Sequence, residues 1–158
     1  MGLDTSLVVL CAGVLAFAFA KLPLAARARR HFHEPENEAV REWAYLTDAF
    51  FARLLLTGIL GTCALLLGFT MAKGLRMKGV PEGVYLGFRL GTLVVTVAAL
   101  AIGALGAFKQ NTSSRRVLRE SDQEAPEREN PVLAIVIFVV VAAVSVPAIH
   151  RALMWVSQ

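Results

Sequence analysis

Charge is scarce in this chain. Of its 158 residues, 18% are Asp, Glu, Lys or Arg, against roughly a quarter in an ordinary soluble domain. Cysteine is nearly absent too. Cys11 and Cys63 both lie inside apolar runs with no metal-ligand neighbour, where a free thiol behaves as a small hydrophobe, so no disulfide framework or zinc knuckle is expected. His31, His33 and His150 are the only histidines. A haem held between membrane helices needs histidines on facing spans, and none lies there. No Ser, Asp and His combination suggests a nucleophilic triad, and no strand leads into a glycine-rich phosphate loop. The expectation is a chain that is not an enzyme and that has no cofactor, no metal and no small-molecule substrate.

Apolar residues, in contrast, make up 56% of the sequence, and the mean hydropathy is +0.60. They are bunched into long runs, and a helix apolar all round has no face for water. A crossing takes about 20 residues, so the length accommodates about four spans with short connections. The predicted class is therefore an all-α integral membrane protein, a single membrane unit over 1–158. Its net charge of +4 comes from sixteen Lys and Arg against twelve Asp and Glu. The bases cluster at the ends of apolar runs, which suits membrane topology and not nucleic acid.

The first span is expected over 6–26. Ala18-Phe19-Ala20 resembles a signal-peptide cleavage site, but Asp4 and the lack of Lys or Arg before the run favour a retained helix. Met1-Gly2-Leu3-Asp4-Thr5-Ser6 fits the myristoylation pattern, read here as a chance match because a lipid chain adds little beside a spanning helix. Pro35, followed by Glu36 and Glu38, opens a second helix. Val40, Trp43, Ala44, Leu46, Phe50 and Phe51 recur mostly at three- and four-residue steps. They predict an interfacial amphipathic helix over 35–51 before a second span over 54–73; the alternative is one long second helix with a polar extension. The link 74–83 is short, so the third span, 84–108, must return antiparallel as a helical hairpin. A polar connection, 109–130, mixes charges without periodicity and reads as solvated or ordered by a partner. The fourth span follows over 131–150, and Trp43 and Trp155 suit an aromatic belt.

Small residues recur four apart: Ala12, Ala16 and Ala20; Gly58 and Thr62; Ala64 and Gly68; Gly87 and Gly91; Ala99, Gly103 and Ala107. Such spacing lets membrane helices approach closely. Arg89 is the charge set well inside a run. Its stem can snorkel to the headgroups, or its guanidinium can pair with a partner or a lipid phosphate.

Gly58-Ile59-Leu60-Gly61-Thr62, the later Gly68, the basic turn Lys73, Arg76 and Lys78, and then Arg89, Thr96-Val97-Ala98-Ala99-Leu100 and Gly103 form a series. In that series the segment from about Leu54 to Gly106 resembles the hypoxia-induced gene domain family of the mitochondrial inner membrane. The family's characteristic string is Gln or Ile, three residues, Arg or His, one residue, Arg, three residues, Gln. Here Arg89 fills the second basic position, while Gly83, Gly87 and Leu93 stand at the others. The resemblance implies a multi-pass protein of the mitochondrial inner membrane. It also implies a non-catalytic accessory subunit, or an assembly or stabilising factor, of cytochrome c oxidase or of a respiratory-chain supercomplex containing it.

Helix packing is accordingly expected at Gly58, Gly61, Thr62, Gly68, Gly87, Gly91, Ala99 and Gly103. Contact with lipid or partner is expected at Arg89, Trp43, Arg76 and Lys78. Membrane lipids and respiratory-complex subunits are the expected partners. A small oligomeric transporter or channel, and a tetraspan that organises lipid or protein, are the alternatives. Orientation pulls two ways. Basic residues are more numerous around 21–48 and 109–130, which the positive-inside rule puts in the matrix or cytoplasm. The resemblance puts the basic turn 74–83 in the matrix, and the reading follows the turn.

Overall fold

A computed structural model describes residues 3–33 and 37–157. Among them the order is α1 (Leu3–Ala28), a 3-10 turn (Arg29–His31), α2 (Glu38–Met77), α3 (Glu82–Glu120) and α4 (Pro131–Ser157). The protein is all-helical, and each of the four helices is long and apolar enough to cross a membrane.

The helix ends follow local chemistry. At the start of α2, Asn37 Oδ1 accepts from the Val40 amide at 3.2 Å, satisfying one of the orphan donors of the first turn. α2 ends in a paired-carbonyl cap, with Gly79 N–H donating to Arg76 O and Val80 N–H to Leu75 O. That cap needs the left-handed conformation Gly79 adopts (φ +69°), and Pro81 then prevents continuation. α3 ends in the same way, with Asp122 (φ +53°) in the glycine's place. Pro131 opens α4, and Asn130 Oδ1 caps it by accepting from the amides of Val132 and Leu133.

Three boundaries differ from those expected. The predicted interfacial helix and second span are one unbroken helix, α2; neither Pro nor Gly interrupts the chain near Ala52 and Arg53. Pro35 and Glu36, read as its opening, lie outside the described residues, as do Met1 and Gly2. α3 continues beyond 108 through the first part of the polar connection. No Pro or Gly follows Gly106 up to Glu120, and Arg116 Nε donates to Glu120 Oε1 at 2.6 Å one turn on. Only 121–130 is left to connect α3 to α4, which runs past 150 to Ser157.

α2 is the central helix, flanked by α1 and α3, and α4 lies mainly against α1. Thr57 meets Gly103, Gly61 meets Leu100 and Gly68 meets Thr92, so α2 and α3 run in opposite directions. The core forms three stacked clusters. Leu7, Val8 and Cys11 of α1 meet Leu65, Leu93, Leu100, Ile149 and Leu153 at one end. Ala18, Phe50, Leu54 and Ala107 form the middle, and Ala28, Trp43, Ala44 and Leu118 the other end. The alanine stripe Ala12, Ala16 and Ala20 is buried, which lets α1 lie close to its neighbours. α4 instead exposes Val132, Ile135, Val136, Val139, Val140 and Val144.

Candidate functional site

The α2–α3 seam is built from reciprocal threonine and glycine positions. A methyl group at Gly103 would run into the Thr57 side chain, and one at Gly68 into Thr92. Each threonine satisfies its own hydroxyl on the preceding turn, Thr57 to Arg53 O at 2.7 Å and Thr92 to Phe88 O at 3.1 Å. The branched side chains therefore fill the glycine gaps without leaving an unpaired polar atom in an apolar interface. Gly61 lies against Leu100, with a Cβ placed 2.5 Å from its Cδ2, and Gly58 faces α1, 2.7 Å from Leu15 Cδ2. Thr62 is half-buried and donates to Gly58 O at 2.9 Å.

Gly87, Gly91 and Ala99 do not join this seam. No neighbouring atom lies within 4 Å of a Cβ at Gly87 or Gly91, and Ala99 is exposed. The contact face of α3 runs through Thr92, Thr96, Leu100, Gly103 and Ala107. Gly91 and Ala99 each fall one residue before a position on that row, hence are turned by about 100° around the helix, and Gly87 lies one turn before Gly91 on the same side. Four-residue spacing identified a face but not the face that packs.

One end of the bundle is tied by ion pairs. Lys21 Nζ reaches both Glu129 carboxylate oxygens at 2.7 Å, Arg27 pairs with Glu127 at 3.3 Å and Arg29 with Asp48 at 2.7 Å. Asn37 Nδ2 donates to Gln123 Oε1 at 2.7 Å, so the 121–130 connection is fastened to α1 and to the chain entering α2. Trp43 belongs here. It is 5% exposed, packed on Ala28, Ala44 and Leu118 with its ring 6.4 Å from that of His31. Contact with lipid or partner is expected at Trp43 from the sequence; the structure instead packs its ring into the core of the chain. The apolar stripe of residues 40–51 is buried between α1 and the extension of α3, which the sequence pattern had left as a connection.

The latch has a measurable consequence. Glu129→Lys sets like charges together at Lys21 and should cost about 1–3 kcal/mol in thermal unfolding in detergent. The exchange Lys21→Glu with Glu129→Lys should recover most of that loss. Equal stability of all three forms would mean that the connection is not held by this pair.

At the opposite end, all four helices surround a cavity of about 310 Å³. Its polar groups are Thr5 from α1, Lys73 and Arg76 from α2, Tyr85 and Arg89 from α3, and His150 from α4. Val8, Phe69, Ala72 and Leu153 form its apolar wall. The Arg89 guanidinium carbon sits 5.2 Å from the centre of the Phe69 ring, and that of Arg76 6.0 Å from the Tyr85 ring. Arg76 and Arg89, expected as contact residues, are thereby brought together, whereas Lys78 is exposed in the turn outside the cavity. Sequence reasoning missed Thr5, Tyr85 and His150 as members of one group. The signal was available in part, since Thr5, Lys73 and His150 each stand at the end of an apolar run on the same side of a four-span topology. His31 and His150 lie at opposite ends, and no three His, Cys, Asp or Glu side chains among the described residues gather around a position for a metal ion.

No protein-family model, curated protein or solved structure matches this chain.

Proposed function

We propose that this chain is a non-catalytic membrane subunit that stabilises or assembles a larger complex, and that the complex is a mitochondrial respiratory one containing cytochrome c oxidase. The observation that carries the subunit role is the uneven burial of the helices. The apolar window of α4 is 6% buried and that of α3 22%, against 39% for α1 and α2. Two of four helices thus offer most of their apolar surface to whatever surrounds the bundle. The interior argues against transport: its central seam is Leu, Ala, Gly and threonines bonded to their own helix, and among the described residues that line it there is no acid, amide or broken helix to form a pathway.

The choice of complex rests on the resemblance of the 54–106 segment. On this reading α2 and α3 supply the family's hairpin, the turn at 78–81 faces the matrix, and α1, α4 and the latched 121–130 connection are contacts particular to this protein. Blue-native electrophoresis of gently solubilised source membranes tests it. Co-migration of the chain with oxidase activity is the expected result. Migration solely as a free monomer or small oligomer overturns the proposal.

A further inference from the structure

We propose that the cavity bounded by Lys73, Arg76, Arg89 and His150 binds a phosphate-bearing anion, met in the membrane as the headgroup of an anionic phospholipid. Charge is the first argument. At the latched end Lys21, Arg27 and Arg29 each have a carboxylate partner within the chain. At the cavity, Lys73 and Arg76 make no ion pair among the described residues, and both line the same small space. Two cations without a carboxylate partner, Lys73 and Arg76, repel one another beside an apolar wall, and an anion between them relieves that repulsion.

Chemistry and depth point to phosphate. Guanidinium groups present paired N–H donors that match two oxygens of a phosphate, and an ammonium adds a point charge. The Thr5 and Tyr85 hydroxyls and the His150 ring supply further donors on other sides of the cavity. Lys73 directly follows the apolar run of α2, and His150 follows that of α4, so the opening lies where the spans leave the hydrocarbon. The wall formed by Val8, Phe69 and Leu153 then suits the glycerol and first methylenes of a lipid. A volume of about 310 Å³ accommodates one headgroup and falls at the small end of ligand sites. The inference stands on this geometry and not on membership of a respiratory complex.

Binding to the full chain in a neutral detergent tests it, with native mass spectrometry reading retained lipid and thermal unfolding reading stabilisation. Phosphatidylglycerol is expected to bind at least about tenfold more tightly than phosphatidylcholine, a difference of about 1.4 kcal/mol. Lys73→Gln with Arg76→Gln should remove that preference. His150→Gln, at an exposed position, should weaken it by a smaller factor. Arg116→Gln, at the other end of the bundle, should leave it intact. Inorganic phosphate provides the second arm. If millimolar phosphate stabilises the wild type and displaces phosphatidylglycerol, the site takes the free ion as well. If it has no effect while phosphatidylglycerol binds, the lipid is the source. Equal binding of the two lipids, or an unchanged preference in both the Lys73/Arg76 and the His150 variants, overturns the proposal.

Discussion

Replacing Gly103 by leucine is expected to open the α2–α3 seam, lowering the free energy of unfolding by about 3 kcal/mol, the upper part of the range for overpacking. The reason is local. Thr57 already occupies the space in front of Gly103, its β-branched side chain has few other rotamers, and its hydroxyl is held by Arg53 O at 2.7 Å. A leucine there forces either the threonine out of its bond or the two backbones apart. Gly91→Leu is the control. Open space surrounds Gly91, so its replacement should stay within about 0.5 kcal/mol of the wild type. Unfolding in a mixed detergent series, followed by loss of helix signal, distinguishes them. Similar losses for both would mean that Gly91 packs against a second copy or that the seam tolerates expansion.

The contrast between Gly103 and Gly91 marks where sequence reading stops. Bunched apolar runs and their lengths were enough for four spanning helices, because hydrocarbon thickness sets length directly. Small-residue spacing also led to Gly58, Gly68 and Gly103, and the resemblance to Gly61; all four face a neighbour. Yet Gly87 and Gly91 carry the same spacing and face none. In a span that is apolar on every side, no polar face reports which side looks inward, so the rotation of each helix is set by partners distant in sequence. The polar stretch after 108 misled for a related reason. Its charges suggested a loop, but Ser114 and Leu118 are buried, and the extra turns of α3 provide the wall against which residues 40–51 pack. The cavity was legible only in pieces. Lys73 and Arg76 read as part of a basic turn, while Thr5 and His150 lie near opposite ends of the chain and meet them through topology alone.

Trp43→Ala is expected to destabilise the protein by about 3–5 kcal/mol, the cost of removing a buried aromatic ring. A tryptophan placed by sequence pattern in a membrane-water belt would predict little, since a ring in contact with headgroups leaves no cavity behind. The structure surrounds Trp43 instead with Ala28, Ala44 and Leu118, the first two fully buried. Three helices converge on that point, and their small side chains have no reach with which to refill the space. The loss should therefore extend to the latch, because Trp43 also supports His31, 4.0 Å from the same Glu127 that pairs with Arg27. Trp155, 79% exposed on α4, supplies the comparison within one molecule. Its replacement by alanine should change stability by less than about 0.5 kcal/mol. Equilibrium unfolding of the two variants, with hydrogen exchange read over residues 121–130, checks both parts. The Trp43 variant should lose protection in that connection, and the Trp155 variant should retain it. Equal stabilities would return Trp43 to the lipid interface and remove the reason for the long, buried first half of α2.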